Sequence, residues 1–327
     1  MGKPLWHPWH AKLHQTLKDR QLLPRGERVL VAVSGGQDSM GLMQVLVELR
    51  RHWHWQLAIA HCNHQWQSDA AANAEHVRSA AQSWQVPFCL EVADRPLPSE
   101  AAARTWRYQI LAQVASREGY AAVVTGHTAS DRAETLLYNL VRGSGADGLQ
   151  ALTWVRPLTP SIRLVRPLLE FTRTETAQIC QAAHLPIWSD PTNQDLQYHR
   201  NRIRQEVLPY LCQHLNPQAE RHLAQTAELL SAEVEYLESL ASQLYSQALC
   251  GETPPTLCRR MLGAQPIALQ RRVIRCFLKS HLNHAPSFEH IEKVVSLLDA
   301  PNRSRSDSLA GGTIAEVSGA TIQLIAQ

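Results

Sequence analysis

Hydrophobic and polar positions alternate in blocks along the first half of the chain. Four short apolar runs, RVLVAV, QLAIAHC, PFCLEV and AAVVTGH, are each bounded by turn residues, the pattern of strands buried on both faces of a parallel sheet. Between them, helical periodicity runs over about 38–51, 69–85, 99–118 and 130–141. This repetition predicts an α/β fold on a doubly wound, mostly parallel sheet. Ligands in such sheets sit beyond the carboxyl ends of the strands. Three of the four predicted ends carry polar clusters: SGGQDS at 34–39, HCNH at 61–64 and TGHTASDRAET at 125–135.

After RGSGADGLQAL the pattern changes. A Pro-punctuated stretch, VRPLTPSIRLVRPLLE, leads to a helix near 172–184 and then to LPIWSDPTNQDLQYHRNRIRQEVLPYL. From about 217 the periodicity is helical, with AERHLAQTAELLSAEVEYLESLASQLYSQAL the longest stretch, further helices near 265–283 and 287–298, and an alternating hairpin in GGTIAEVSGATIQLIA. A boundary near 215 divides residues 1–215, an α/β domain, from 216–327, a mainly helical one. A chain of 327 residues fits that two-domain reading.

Composition narrows the classes. A net charge of +3 does not by itself announce a nucleic-acid protein, and seven scattered Cys without a CxxC pair indicate neither a zinc ribbon nor a disulfide framework. MGKPLWHPWH lacks the apolar core of a signal peptide, and no apolar run is long enough to span a bilayer. A soluble cytoplasmic protein with no membrane partner is expected.

The turn SGGQDS joins a strand to a helix. Its glycines allow close approach of an anion to backbone N–H groups, and the helix N-terminus adds a favourable dipole. The lysine of GxxxxGK[ST] is missing, so the charge of a triphosphate has to be met by metal and by arginines from elsewhere. Asp38, in the first helical turn, offers hard oxygen to Mg²⁺; Gln37 reads as incidental. A capped Gly-rich turn that binds nothing would look similar. Asp131 and Glu134, three apart at a helix start, put two carboxylates on one side, which suits a cationic substrate or a metal and equally suits simple dipole compensation. His127 at a strand end can touch phosphate or adenine, or be structural. Arg104 and Arg107 lie one turn apart, as phosphate-binding forks or as a solvated face. Arg200, Asn201, Arg202 and Arg204 crowd one short segment, as RNA contacts or as a surface helix. From Arg259 to Arg305, nine Lys or Arg face three Asp or Glu, an excess suited to phosphate backbone.

SGGxDS is the signature of the PP-loop ATP pyrophosphatases. HCNH, RTWRY at 104–108, TGHTASDRAETLLYNLVRGSGADGL and WSDPTNQDLQYHRNRIRQEVLP follow in the order found in tRNA(Ile)-lysidine synthetases, a resemblance over about two-thirds of the chain. That family uses ATP to join the ε-amine of lysine to C2 of the wobble cytidine in a CAU anticodon, through an adenylated cytidine, releasing pyrophosphate and AMP. The resemblance implies ATP and Mg²⁺, tRNA(Ile) and L-lysine as partners, and leaves a homodimer open. It implies an ATP site of Ser34, Gly35, Gly36, Asp38, Ser39, His61, Gly126 and His127, with metal at Asp38 and Glu134. Asp131 and Glu134 fall to lysine, and Asp38, Arg107 and Glu134 to catalysis. Arg104, Arg200, Asn201, Arg202, Arg204, Arg271 and Arg272 fall to tRNA, with Asp190, Asn193 and Arg204 of the anticodon-side segment partly structural.

The chain departs from the family pattern at HCNHQWQ, where HxNHGLR is usual, and at Ser130 and Arg132, where an acid and a glutamine usually flank Asp131. Rival readings are a PP-loop cytidine thiolase, which would show paired cysteines, and a small-molecule amidating synthetase, which would lack RNRIR. A non-enzymatic RNA-binding protein would not need Asp38, Asp131 and Glu134 intact.

Overall fold

The computed structural model describes residues 6–66, 69–189 and 191–326. The chain forms two compact units, Met1–Ser231 and Ala232–Gln327. The first carries α1 (Pro8–Asp19), β1 (Arg28–Ala32), α2 (Gln37–Trp53), β2 (Gln56–Asn63), α3 (Ala70–Trp84), β3 (Phe88–Val92), α4 (Glu100–Glu118), β4 (Ala122–Thr125), α5 (Ala129–Val141) and α6 (Ala146–Leu149). It continues through β5 (Val155–Thr159), β6 (Ile162–Val165), α7 (Arg173–Ala182), α8 (His199–Arg202) and α9 (Leu208–His214). The division between the units falls within α10 (Ala219–Ala248).

The six strands run in the order β3-β2-β1-β4-β6-β5, all parallel except the β5–β6 hairpin. The four runs read as strands are β1 to β4, and the four intervening helices are α2 to α5. Alternate strand residues feed opposite faces. Val29 and Val31 pack with Leu13 and Leu17 of α1, Met40 and Leu46 of α2, Val77 of α3 and Ile179 of α7. Leu30 packs instead with Leu111 and Val114 of α4, Val123 and Leu164. The strand order reverses between β1 and β4, and this switch point opens a crevice at their carboxyl ends.

A smaller cluster joins Ala133 of α5 to Ile203 and Leu208, with Tyr138 and Leu223 against it. A π-helical turn, Ile203–Val207, links α8 to α9 and is thereby seated beside α5. Such turns often accompany functional sites.

The second unit has β7 (Leu249–Glu252), β8 (Pro255–Cys258), α11 (Arg259–Gly263), α12 (Ile267–His281), α13 (Phe288–Val295), β9 (Thr313–Ser318) and β10 (Thr321–Ala326). An antiparallel sheet β7-β8-β10-β9 packs Leu257, Val317 and Ile322 against Val273 and Phe277 of α12 and Val294 of α13. The expected terminal hairpin is β9–β10; β7 and β8, four residues each, were not legible as strands. Among the described residues no helix is long and apolar enough to cross a membrane.

Candidate active site

The turn after β1 is held from behind. Asn73 Nδ2 donates to the Ser34 carbonyl at 3.1 Å, and the Trp188 N–H donates to the Gly35 carbonyl at 3.0 Å. Because each peptide is planar and trans, those carbonyls turn the Gly35 and Gly36 N–H groups the opposite way, as an anion-binding nest needs. Gly35 sits at φ +89, and a Cβ there would lie 2.3 Å from Asn73 Oδ1. Ser39 Oγ donates to the Gly36 carbonyl and accepts from the Ser34 N–H, closing the turn. Across the switch point, a Cβ on Gly126 would lie 2.9 Å from the Asp38 carbonyl oxygen, so only glycine lets β4 approach this closely.

Beside the turn, three carboxylates converge on one guanidinium. Arg173, first residue of α7, donates from Nη1 to Glu134 Oε1 at 2.8 Å, from Nη2 to Asp131 Oδ1 at 2.9 Å and from Nε to Asp38 Oδ2 at 3.4 Å. Its own N–H donates to Ser130 Oγ at 2.9 Å. Arg204, on the π turn, grips Glu134 through both oxygens at 2.8 and 3.0 Å. Asp131 Oδ2 is already spent on the Thr128 N–H and hydroxyl in a capping box, leaving Oδ1 for the crevice. Asp38 Oδ1 accepts from the Thr176 hydroxyl at 2.5 Å. Burial pushes the Asp38 carboxyl above its usual range, with Arg173 opposing and Asp131 reinforcing. Burial also acts upward on Asp131, but Arg173, His127 and the Thr128 hydrogen bonds hold it below the ordinary value.

A cluster of the opposite sign also acts on His127. Arg104 and Arg156 stack on the Tyr108 ring at 5.4 and 4.6 Å, and Arg166, 2 % exposed, hydrogen-bonds Tyr108 and donates to the Thr153 carbonyl at 2.5 Å. Burial alone would raise the Tyr108 phenol; Arg104, Arg166 and Arg156 pull it below its usual value. Among the described residues no carboxylate pairs with Arg104, Arg107, Arg156 or Arg166, and Arg166 Nε is buried without a partner. His127 shares a hydrogen bond with Thr125 Oγ1 at 2.8 Å. Burial lowers its pKa, Asp131 opposes this, and Arg166, Arg104 and Arg107 add to the lowering, so the ring is neutral.

A family described as a PP-loop domain matches residues 6–211, and one described as the TilS substrate binding domain matches residues 257–317. A curated tRNA(Ile)-lysidine synthase from a Nostoc species is 56% identical over 96% of this chain and 96% of its own length. Those from a Synechococcus species and from Gloeobacter violaceus are 52% and 48% identical, over 99% and 93% of this chain and 98% and 93% of their own. The chain belongs to the tRNA(Ile)-lysidine synthase family. Its fold is also that of the U34-tRNA thiolase NcsA from Methanococcus maripaludis with its [4Fe-4S] cluster, at TM-score 0.58 and 17% identity over 68% of this chain and 77% of that one.

Within this tRNA(Ile)-lysidine synthase fold, the crevice gathers Ser34, Gly35, Gly36, Asp38, Ser39, Gly126, His127, Asp131 and Glu134. His61 is buried at the next strand end, its Nδ1 hydrogen-bonded to the Val33 carbonyl at 2.8 Å, and burial lowers its pKa; its contact is with the backbone under the turn. Several side chains have contacts other than those expected. Both Glu134 oxygens are taken by guanidinium groups, which disfavours a cation-metal there. The Arg204 fork is spent on Glu134 rather than left for RNA, and the buried Asn201 amide donates to the Thr192 and Asp195 carbonyls. Arg202 donates to the Leu196 carbonyl, and Arg200 lies 6.0 Å from the Tyr138 ring. Arg271 forks onto Glu292, and Arg272 pairs with Glu238. Gln37 is not incidental: its amide donates to the Arg173 carbonyl and the Thr176 hydroxyl, tying α2 to α7. Asp190 and the side chain of Asn193 lie outside the described residues.

Sequence reading missed Arg173, Tyr108, Arg156 and Arg166. The two last had a visible signal, since each stands in a copy of VRPL, and β5 pairs with β6 so that Val155 lies opposite Val165. Ser130 and Arg132 also gain a reason. Ser130 positions Arg173, while the buried Arg132 binds the Leu152 carbonyl and Glu228 and takes no part in the crevice.

Proposed function

We propose that this chain ligates lysine to C2 of the wobble cytidine of tRNA(Ile) with a CAU anticodon, and that the crevice between β1 and β4 is where it does so. The cytidine O2 attacks the α-phosphorus of ATP and pyrophosphate leaves; the lysine ε-ammonium then gives one proton to solvent, and the neutral amine displaces AMP from C2 and loses a second proton. A pyrimidine C2 oxygen is a poor leaving group until it is adenylated, so the site has to hold a polyphosphate, a cation and an extruded base together. The observation that carries the reading is the meeting of three carboxylates around one guanidinium directly beside a phosphate-type turn.

In this reading Ser34, Gly35, Gly36 and Ser39 hold the departing phosphates. Arg104, Arg107, Arg156 and Arg166 face the α-phosphate, where guanidinium forks stabilise growing negative charge. His127, neutral between the two clusters, donates or accepts at phosphate or base without adding charge. Asp131 Oδ1 takes the lysine cation in exchange for part of its contact with Arg173, and Glu134, fixed by Arg204, keeps Arg173 within the crevice. Mg²⁺ would be held by Asp38, a hard oxygen donor whose Oδ2 has only the 3.4 Å contact to Arg173. Bound there, it would neutralise phosphate charge. The expected boundary near 215 moves into α10: Met1–Ser231 is the catalytic unit and Ala232–Gln327 the tRNA-body unit, with Arg200 and Arg202 on the anticodon side.

Burial pushes the Cys62 thiol up to about 12 and that of Cys180 up to about 11, so these two are poor carriers for sulfur transfer at neutral pH. All seven cysteines are free, which fits a reaction in the cytoplasm. The test is a CAU-anticodon tRNA transcript with ATP, Mg²⁺ and labelled lysine. Lysine-dependent label in RNA with stoichiometric AMP is expected; folded protein that gives none, or that requires a sulfur donor, overturns the reading.

A further inference from the structure

The second unit spends most of its basic residues internally. Arg271 is paired with Glu292, Arg272 and Arg275 share Glu238, and Arg305 holds Glu316 at 2.6 Å. Among the described residues of this unit, Arg259, Arg260, Lys279 and Arg303 pair with no carboxylate. The positive excess between Arg259 and Arg305 is therefore not spread over the unit. Two of these four cations, Arg259 and Arg260, line one cleft of about 620 Å³, and Arg303 adjoins Asn302 at its edge.

The rest of the cleft is chemically specific. Its walls include Gly263, Leu298, Asp299, Pro301, Asn302 and Gly319. Asn302 Oδ1 accepts from the Gly319 N–H at 2.8 Å, which fixes the amide and leaves its Nδ2 as a donor. Asp299 is exposed and unpaired, a lone acceptor among donors. Two arginine forks suit phosphodiester oxygens. A carboxylate opposes phosphate, yet accepts from a ribose 2′-hydroxyl or a base amino group, both of which RNA presents in its shallow minor groove. The size is that of a site for one or two nucleotide units.

We infer that the cleft of Arg259, Arg260, Asp299 and Asn302 is the point at which the second unit grips the sugar–phosphate backbone of substrate RNA, and that Arg271 and Arg272 serve its fold. This rests on the proposed tRNA substrate, and it assigns the contact to a different pair of arginines from the one the sequence suggested.

The test measures binding directly, by fluorescence anisotropy of labelled tRNA(Ile) transcript on the full chain across a salt series, alongside lysine incorporation. Arg259→Ala/Arg260→Ala is expected to weaken binding about tenfold at about 50 mM salt and to flatten the log K against log salt slope by roughly 1.5. The KM values for ATP and lysine should stay at wild-type levels. Arg259→Lys/Arg260→Lys should restore most of the slope, because phosphate contact needs the charge. Arg271→Ala/Arg272→Ala should keep the wild-type slope and lower the thermal midpoint. Should the double alanine variant lose fold, Arg260→Ala alone, at an exposed position, carries the same sign at about half the slope change. An unchanged slope in the folded Arg259/Arg260 variant, or a slope lost in the Arg271/Arg272 variant, overturns the inference. Wild-type protein that binds this transcript but incorporates no lysine refutes the proposed reaction and leaves the cleft to be judged on the binding series.

Discussion

Two clusters of opposite charge act on His127, and they are neutralised in opposite ways. On one side Asp38, Asp131 and Glu134 are met by Arg173 and Arg204, so three negative charges carry two positive ones inside the protein. On the other, Arg104, Arg156 and Arg166 have a tyrosine and backbone carbonyls for company, Arg107 is exposed, and none of the four pairs with a carboxylate among the described residues. Gathering buried or half-buried like charges is expensive unless something pairs them. The acidic cluster solves this with its own cations, Arg173 and Arg204, and in the proposed function part of that pairing is exchanged for the lysine cation. The basic cluster has no such partner, and in the proposed function a triphosphate or an activated nucleotide supplies it. His127 stays neutral because burial outweighs Asp131 and the arginines push the same way as burial.

Asp38→Asn should break the comparison most severely. It removes the one carboxylate of the acidic cluster with an oxygen only loosely engaged, and AMP formation should fall by roughly 10²–10³-fold or more. Measured AMP release at saturating ATP and tRNA decides it, and a variant with near wild-type turnover would strip Asp38 of its assigned role.

On the basic side, Arg166→Met should lower the rate of AMP formation roughly a hundredfold, about 2.7 kcal/mol of transition-state stabilisation. A structural signature separates loss of charge from loss of fold: the Tyr108 phenol, released from Arg166, should titrate at higher pH by ultraviolet difference absorbance. If the phenol shifts while catalysis does not, the four arginines are packing for α4 and not an anion site.

A smaller effect distinguishes the lysine contact from the metal contact. Asp131→Asn leaves the capping oxygen in place but weakens attraction for a cation, so the KM for lysine should rise about tenfold, near 1.4 kcal/mol, with ATP KM held. A rise in ATP KM instead would move Asp131 to the nucleotide.

The sheet and its strand ends were legible because buried parallel strands are continuous apolar runs, and the polar residues that interrupt them stand where ligands bind. The acidic cluster was half legible. Asp38, Asp131 and Glu134 stand in short motifs with helical spacing, but Arg173 lies about forty residues beyond Glu134 in what reads as an ordinary helix start, and only the packing of α7 on α2 brings it in. Arg204 reads as an arginine of a basic segment with a partly structural role; the π turn that aims it at Glu134 has no sequence mark. Arg271 and Arg272 looked like RNA contacts because a charge count cannot see Glu238 and Glu292 folding back onto them.

The finest test of the acidic cluster is a difference in sign. Burial raises the Asp38 pKa in the folded protein, so its ionised form works against folding at neutral pH, and that penalty fades as pH falls through the raised value. Asp131 is held below its ordinary value, so its contribution is stabilising, complete above the ordinary carboxylate range and lost only as pH falls through the depressed value. At pH 7 Asp38→Asn should therefore raise the thermal midpoint and Asp131→Asn should lower it, although both impair activity. Arg173 is the common cause on the Asp131 side, so in an Arg173→Met background the Asp131→Asn penalty should shrink, a coupling that a double-mutant cycle reads directly. Equal destabilisation by both substitutions would mean that Arg173 stabilises the two carboxylates alike. The loosely held Asp38 oxygen would then be a resting ion pair and not an opening kept for another cation.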